Sequence, residues 1–596
     1  MLKKLFLLIP EKLVIAVELG LIGLFLYWHW RLGMMRFFDI DEFAHLHWTH
    51  DLFTGLRPYT DFFYFIPPLY LFALLPLFFI SGRSAAIFFL GRGLAFGIFF
   101  VVCLLLFLLV RKVRDSRVAL LSVLVLSFLP IPADKWIEIR PDGLAILFGM
   151  VGMLFLVKGL KDKNNTHFFI SGLFYSLGVL VLPKIVFWAF CAAFIIAIYL
   201  FINQKKIKAG NFIKYLFDLF TRFKWLKLFI LGVSIPIVLV VALFIYFGDP
   251  GKAFYLSTKV ATDATKVLGN KFPIPPNFLF YPNDVYYGAP GESWPWKMNL
   301  FVWIAAAVFA IIKLVSFLDR ETIEEGLSQL LLALSFLLYL VAYIYIFPLR
   351  HEQYLLPASV FVAFYFADFV ISLFRNLMRR WRRVGAAFGV GVFIAVLGLV
   401  FWSGKDMYDW KLRWSSLDVS FYNHLFSLIP KNEKVFDLTG EAIFSPDGYY
   451  FCCIPYGQYD EALQFQYPDL EADLRKQNVH FVYMQRENRI FVLPAEQQKV
   501  IRQYYTIYPD GNPPYLLVSG ALVSFSYAGQ PQDFNLIASG NYDLFWNYQK
   551  LTGGQTSRMV KIDGKIVTQN PVYLSAGEHT IVVNSSAGLM KLMYSF

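Results

Sequence analysis

Residues 84–110 read SAAIFFLGRGLAFGIFFVVCLLLFLLV and run directly into RKVRDSR at 111–117. One charge, Arg92, interrupts a stretch that is otherwise uncharged and longer than the roughly 20 residues a helix needs to cross hydrocarbon. The basic cluster ends the run and, because Lys and Arg are retained on the cytoplasmic side, gives it a direction. Runs of this kind recur up to about residue 404. The spacing predicts eleven spans, near 12–34, 84–110, 118–132, 143–160, 167–182, 185–203, 228–247, 298–317, 328–347, 354–374 and 384–403, the third and fifth being short.

Composition agrees. The 596 residues are 58% hydrophobic and only 16% charged, against roughly 45–50% and about 25% in an ordinary soluble domain. Lipid is the solvent that accommodates such a surplus, which excludes a disordered chain and a cytosolic enzyme. The net charge of +12 would suggest nucleic acid in a soluble protein. Here the excess falls in cytoplasmic loops, so no nucleic-acid partner is expected. Placing Lys3, Lys4 and Lys12 inside also internalises Arg111, Lys112, Arg114 and Arg117, the lysines between 205 and 227, and Arg375 to Arg383. With an odd number of spans, the loops 35–83 and 248–297 and the C-terminal third lie outside. The first run is too long for the core of a cleavable signal peptide.

Beyond residue 404 the pattern becomes that of water-soluble protein. In residues 405–520, PDLEADLRKQ puts Leu470 and Leu474 on one helical face, and VHFVYMQRENRIFVLP reads as two strands about a polar turn. From 521 to 596, short strands and turns such as Asp563-Gly564 predict a small β-sandwich. Three units are therefore expected: 1–404 in the membrane, 405–520 mixed α/β, and 521–596 all β.

Chemistry-bearing residues collect on the predicted outer face. The loop FFDIDEFAHLHWTHDLFTGLRPYTDFFYFIPP, 37–68, carries Asp39, Asp41, Glu42, Asp51 and Asp61 with His45, His47 and His50. Phe43, Leu46, Leu52 and Phe53 are spaced as the apolar face of a helix lying along the bilayer surface. EIRPDGLA brings Glu138, Arg140 and Asp142 to the entrance of the fourth span, and PLRHEQYLLP brings Arg350, His351, Glu352, Gln353 and Tyr354 between the ninth and tenth. Lys184 occupies a tight turn on the same side. Carboxylates can accept a proton, and fixed cations can hold a phosphate, a combination suited to transfer from a phosphate-linked donor.

The order D-x-D-E, then G-x-x-P-Y-x-D-F-F with a following Pro-Pro, then R-P-D and Q-Y-L-L-P, resembles the GT-C superfamily of integral-membrane glycosyltransferases. The likeness is to the bacterial branch that includes the lipid A aminoarabinose transferase and relatives of protein O-mannosyltransferases, and covers about residues 1–404. It implies a mainly α, polytopic GT-C-type domain in the bacterial cytoplasmic membrane, with the N-terminus inside and the C-terminal domain periplasmic or extracellular. It also implies inverting transfer of a sugar from a polyprenyl-phosphate donor to a lipid, glycan or protein acceptor. Asp41 matches the general base and Glu42 its partner or orienter. Arg140, Lys184, Arg350 and His351 are then candidates for the leaving phosphate. Asp39, Asp61 and Asp142, with Tyr59, Tyr64, Glu352, Gln353 and Tyr354, are candidates for the substrate site.

No cofactor is required on this reading. A divalent metal on Asp41, His45 and His50 is the lesser alternative, since Asp41 and His45 are one helical turn apart. Arg92 is expected to pair inside the protein or to line the donor path. Cys103 and Cys191 read as packing residues. Cys452 and Cys453, being adjacent, are expected not to bond to each other. The rival functions are a polytopic lipid or glycan transporter and a non-catalytic envelope scaffold that binds glycan.

Overall fold

The computed structural model describes residues 11–127, 129, 133–203, 223–260, 263, 294–316, 322–347, 352–380, 382–412, 419–453, 468–485, 493–508 and 515–596. The chain is a multi-pass membrane protein followed by a sheet-rich soluble region. The membrane part comprises α1 (Glu11–Met35), α2 (Ile40–Phe53), α3 (Leu69–Ser81), α4 (Ala86–Val113), α5 (Ser116–Ser127), α6 (Pro141–Asp162), α7 (Asn165–Val181), α8 (Val186–Asn203), α9 (Lys224–Tyr246), α10 (Pro250–Thr258), α11 (Trp294–Val315), α12 (Ile323–Tyr345), α13 (Leu356–Arg380) and α14 (Arg382–Leu412).

Among the described residues, eight helices are long and apolar enough to cross a membrane. Three of the expected eleven spans differ. The third and fifth are α5 and α7, apolar but only 12 and 17 residues long. The last is the 31-residue α14, which runs eight residues past the expected boundary at 404. Large apolar side chains such as Phe79, Phe190, Phe201, Val238 and Ile245 are exposed around the bundle, as a lipid-facing surface requires. Helices α7 and α9 cross at Gly172 and Gly232, where a side chain would strike the backbone carbonyls of Phe229 and Phe169. Small residues at a crossing let two membrane helices approach closely.

The segment 35–83 departs from an open loop. It holds α2 and a further apolar helix, α3. Helix α2 presents no wet face: every residue from Glu42 to Asp51 is buried, polar and apolar alike. The soluble region covers the side that an interfacial helix would give to water. Trp48, Tyr59, Phe62, Phe63 and Tyr64 form one core with Phe436, Phe451 and Leu470 of that region.

Among the described residues, the soluble region contains α15 (Val419–Leu428), α16 (Leu470–Gln477), α17 (Ala495–Tyr504), α18 (Gly553–Met559) and twelve strands. Leu470 and Leu474 of α16 are fully buried. One sheet runs β1 (Val435–Asp437), β2 (Phe481–Tyr483), β4 (Leu516–Phe525), β12 (Gly588–Tyr594), β6 (Gly540–Trp546), β10 (Val572–Leu574), with β3 (Tyr505–Ile507) on β4 and β7 (Gln549–Lys550) on β6. The second runs β5 (Pro531–Leu536), β11 (Gly577–Val583), β8 (Val560–Ile562), β9 (Lys565–Ile566). The two enclose Leu544, Met590 and Leu592 against Ile562, Ile581 and Val583. Asp563 and Gly564, both at positive φ, turn β8 into β9, a backbone those residue types favour. The expected division at 520 falls inside β4. Its first half pairs with β2 and β3, its second with β12. The second strand expected after Tyr483 lies outside the described residues.

Adjacent Cys452 and Cys453 are bonded to each other, contrary to expectation, with their Cα atoms 3.8 Å apart. That separation is imposed by chain adjacency and falls just below the usual disulfide range. Cys103 and Cys191 are free and buried.

Candidate active site

Helix α2 begins where the chain leaves α1. Asp39 is its N-cap: the side chain accepts from Asp41 N at 3.1 Å, and Glu42 Oε1 reciprocates by accepting from Asp39 N at 2.9 Å. This capping box satisfies free amides of the first turn and fixes the directions of both carboxylates. Glu42 is completely buried and faces α4. Its Oε2 accepts from Arg92 Nε at 2.8 Å and Ile139 N at 3.2 Å, and its Oε1 from Arg92 Nη2 at 2.5 Å. Arg92 spends its remaining donors on the carbonyls of Gly33, Arg36 and Phe37, at 2.7 to 2.8 Å. Arg92 is thus a structural pairing residue that ties α4 to the start of α2.

Asp41 points the other way. Its side chain is 37% exposed, and Oδ2 accepts from Arg140 Nη1. Arg140 is the N-cap of α6, held in extended backbone ahead of Pro141, a residue suited to the first helical position. Its Nε lies 3.5 Å from Asp142 Oδ2. Asp142 Oδ1 is 3.3 Å from Lys184 Nζ, which caps the ring of Tyr354 at 3.4 Å from its centroid. Tyr339 donates to the Tyr354 carbonyl at 2.7 Å. A chain of contacts therefore runs Asp41, Arg140, Asp142, Lys184, Tyr354, drawing on α2, α6, the turn before α8, and the turn before α13.

A second layer supports the first. Lys135 donates to Glu138 at 2.6 Å and lies 3.3 Å from Asp39, and Arg36 reaches Glu138 at 3.2 Å. Five carboxylates (39, 41, 42, 138, 142) thus meet five cations (36, 92, 135, 140, 184), so most of these charges neutralise one another. Burial would raise the Asp39 carboxyl, but Lys135 and Arg140 hold it below the usual carboxylate range. Burial pushes Glu138 up to about 7 despite Lys135. Burial disfavours the Arg140 cation, and Asp41 and Asp142 more than restore it.

His45, one turn beyond Asp41, stands against Trp48 and Tyr70. Burial lowers it to about 4, with Asp41 opposing and Arg140 adding to the shift, so it is a neutral imidazole at ordinary pH. His50 is packed among Phe53, Phe78 and Phe444. Nine residues of helix, about 13.5 Å of rise, separate it from Asp41, so the structure does not bring Asp41, His45 and His50 together about one metal.

The remaining candidates divide. Asp61 pairs with Arg57 at 3.0 Å in an exposed turn. Tyr59 is buried, its hydroxyl donating to the Ile66 carbonyl at 2.6 Å, and Tyr64 is buried beside it. Asp61 and Tyr59 thus bond within the 57–66 turn, while Tyr64 packs against Trp48 of α2. Gln353 is half-buried in the turn Glu352–Leu355. Arg350, His351 and the Glu352 side chain lie outside the described residues. Lys135 and Arg36 were not singled out from the sequence. The signal for Lys135 was its place five residues before the R-P-D motif in ADKWIEIRPD, and for Arg36 its place three residues before Asp39.

The family described as dolichyl-phosphate-mannose-protein mannosyltransferase matches residues 67–223. No curated protein matches the chain. Among solved structures, the oligosaccharyltransferase AglB of Archaeoglobus fulgidus, in complex with an inhibitory peptide and a dolichol-phosphate, is 11% identical over 83% of this chain and 73% of its own, with a TM-score of 0.47. ArnT of Cupriavidus metallidurans bound to undecaprenyl phosphate is 12% identical over 73% and 85%, with a TM-score of 0.45. The arabinosyltransferase EmbB of Mycobacterium smegmatis is 9% identical over 97% and 62%, with a TM-score of 0.38. At these scores the likeness carries nothing about individual residues. The matched segment spans α3 to α8 and contains the R-P-D turn and Lys184, so about a quarter of the chain, within its helical membrane part, is similar to that mannosyltransferase family.

Proposed function

We propose that the protein transfers a sugar, with inversion, from a polyprenyl-phosphate donor to an acceptor hydroxyl on the outer side of the cytoplasmic membrane. The observation that carries this reading is the Asp41–Arg140 contact, a partly exposed carboxylate set against a buried guanidinium that Asp142 links to a second cation, Lys184. Base and phosphate site thereby lie side by side at the end of α6.

The acceptor oxygen attacks the anomeric carbon as the bond from that carbon to the phosphate oxygen breaks. The acceptor proton passes to an Asp41 oxygen, and the polyprenyl phosphate leaves carrying the bonding electrons. Arg140 and Lys184 stabilise the charge that develops on it. A donor phosphate that engages Arg140 competes with Asp41 for the guanidinium. Asp41 then loses its strongest partner and becomes available as a base. Asp39 and Glu42 hold the first turn of α2 in place, and Tyr354 and Gln353 border the site. No metal takes part in this scheme. A lipid, glycan or peptide acceptor fits it equally, and polyprenyl phosphates and a peptide are what AglB and ArnT are described with.

The test is transfer of radiolabelled mannose from polyprenyl-phosphate mannose in membranes that contain the wild-type chain or Asp41→Asn at equal abundance. A positioned base contributes about 10²–10⁴-fold. Near wild-type transfer by Asp41→Asn would remove Asp41 from the chemistry.

A further inference from the structure

The opposite side of α2 carries a separate cluster. His47 lies six residues beyond Asp41, about 240° around the helix at 3.6 residues per turn, and so turns toward the soluble region. Its Nε2 meets Asp447 Oδ1 at 2.7 Å and Asp51 Oδ2 at 3.6 Å. All three side chains are 4% exposed or less. Among the described residues, both Asp51 oxygens, the second Asp447 oxygen and His47 Nδ1 lack a partner at hydrogen-bonding geometry, Asp51 and Asp447 lying against each other. The neighbouring Asp437 shows the contrast: its oxygens accept from Thr439 N, Thr439 Oγ1 and Ala442 N at 2.7 to 2.8 Å. Carboxylates withdrawn from water without donors cost several kcal/mol each, so native proteins pair them or use them on a cation.

The approach of the two parts is close. Gly440, at a φ of 77°, packs on α2 where a Cβ would lie 3.0 Å from His47 Cβ and 2.8 Å from Cys453 Sγ. Ligating atoms of His47, Asp447 and Cys452 lie within 4.8 Å of one another. While Cys452 is bonded to Cys453 its sulfur is no thiolate and is left out of the set. Two carboxylates and one imidazole suit zinc, which takes nitrogen and carboxylate oxygen at about 2.0–2.2 Å. The charges also balance, two carboxylates against one divalent cation with a neutral imidazole.

We propose that His47, Asp51 and Asp447 form a binding site for a divalent ion of the zinc class, which clasps the helix carrying Asp41 to the soluble region. The site lies away from the Asp41–Arg140 contact and does not depend on the proposed reaction. Its ligands are 400 residues apart in sequence, so the ion would cross-link two parts of the fold.

The full-length protein, purified in detergent without chelator or thiol, is exposed to zinc, dialysed, and its metal content measured by mass spectrometry. About one zinc per chain is expected in the wild type and in Asp41→Asn, falling below about 0.2 in His47→Gln, Asp51→Asn and Asp447→Asn. Cobalt in place of zinc should give visible bands of a low-symmetry four-coordinate site. Chelation should lower the melting temperature of the wild type, with recovery on adding zinc. This measurement needs no variant to fold. A wild type that retains no zinc and shows no thermal response overturns the proposal. So does uptake that persists in both aspartate variants, or that is lost in Asp41→Asn.

Discussion

Asp41 and Glu42 are adjacent carboxylates with different duties, and exchanging each for its amide separates them. Glu42 accepts four hydrogen bonds: two from Arg92, one from Asp39 N and one from Ile139 N. In Glu42→Gln one oxygen is replaced by an amide that can only donate, so at least one of these donors faces another donor. Arg92, 1% exposed, is left with carbonyl partners but no countercharge. Breaking a buried pair in this way costs about 3–5 kcal/mol. Asp41 is half-exposed and has one cationic partner, which keeps Asp142 when Asp41 is lost, so Asp41→Asn should change stability by less than about 1 kcal/mol. Thermal unfolding in detergent, followed by tryptophan fluorescence, and mannose transfer are measured on the same preparations. Glu42→Gln should unfold markedly earlier, and Glu42→Met with Arg92→Met should recover part of the loss, because replacing both charges leaves none uncompensated. Asp41→Asn should unfold like the wild type and lose about 10²–10⁴-fold in turnover. A Glu42→Gln protein that is as stable as the wild type but inactive would refute the assignment of Glu42 to structure.

Further expectations follow from other contacts. Lys184→Met, which removes the cation between Asp142 and Tyr354, should raise the KM for polyprenyl-phosphate mannose about tenfold, equivalent to about 1.4 kcal/mol, with partial rescue by Lys184→Arg. Asp368 lies on α13, 1% exposed, between Arg114 at 2.7 Å and Lys313 at 3.7 Å. Asp368→Asn should therefore destabilise by about 3 kcal/mol, measured by thermal unfolding, while transfer per folded molecule stays unchanged. Burial lowers His480 to about 4, where it stacks on Tyr594 and bonds to Ser519. A depressed histidine gives stability that is complete above its ordinary value near 6.5 and is lost as pH falls toward 4, at most about 3 kcal/mol. The melting temperature of the wild type should fall between pH 7 and pH 5, and that of His480→Phe should fall less.

Much of the membrane architecture was legible because hydrocarbon imposes a length and an apolar composition that single residues cannot disguise. The helices α5 and α7 fell below that length, and α3 was hidden in a segment whose prolines and charges read as loop. The candidate site was legible to the extent that motifs marked it: Asp41, Arg140, Asp142, Lys184 and Tyr354 come together from four separated segments. Asp61 and Tyr59, from the adjoining motif, make their bonds within a local turn. Sequence spacing does not report which way a buried side chain points. Helix α2 misled for a related reason. Its histidines and Asp51 looked like a wet face, whereas all four are buried, and His45, His47 and His50 meet Tyr70, Asp447 and Phe444 from other parts of the chain. The bond between Cys452 and Cys453 was excluded by a distance rule drawn from separated cysteines, which adjacent ones need not obey.

Helix α2 holds Asp41 in its first turn and Asp51 in its last, with the soluble region packed on the far end. The ten residue steps between them make a stiff rod of about 15 Å. A lever of that length turns a tilt of about 5° at its anchored end into a displacement of about 1.3 Å at the carboxylate. Misplacement by about 1 Å can cost a reaction about 10²-fold. On the proposed chemistry, a change in the seating of the soluble region on α2 that the contacts of Arg92 and Asp39 did not hold back would shift the Asp41 carboxylate and so tune the rate without touching it.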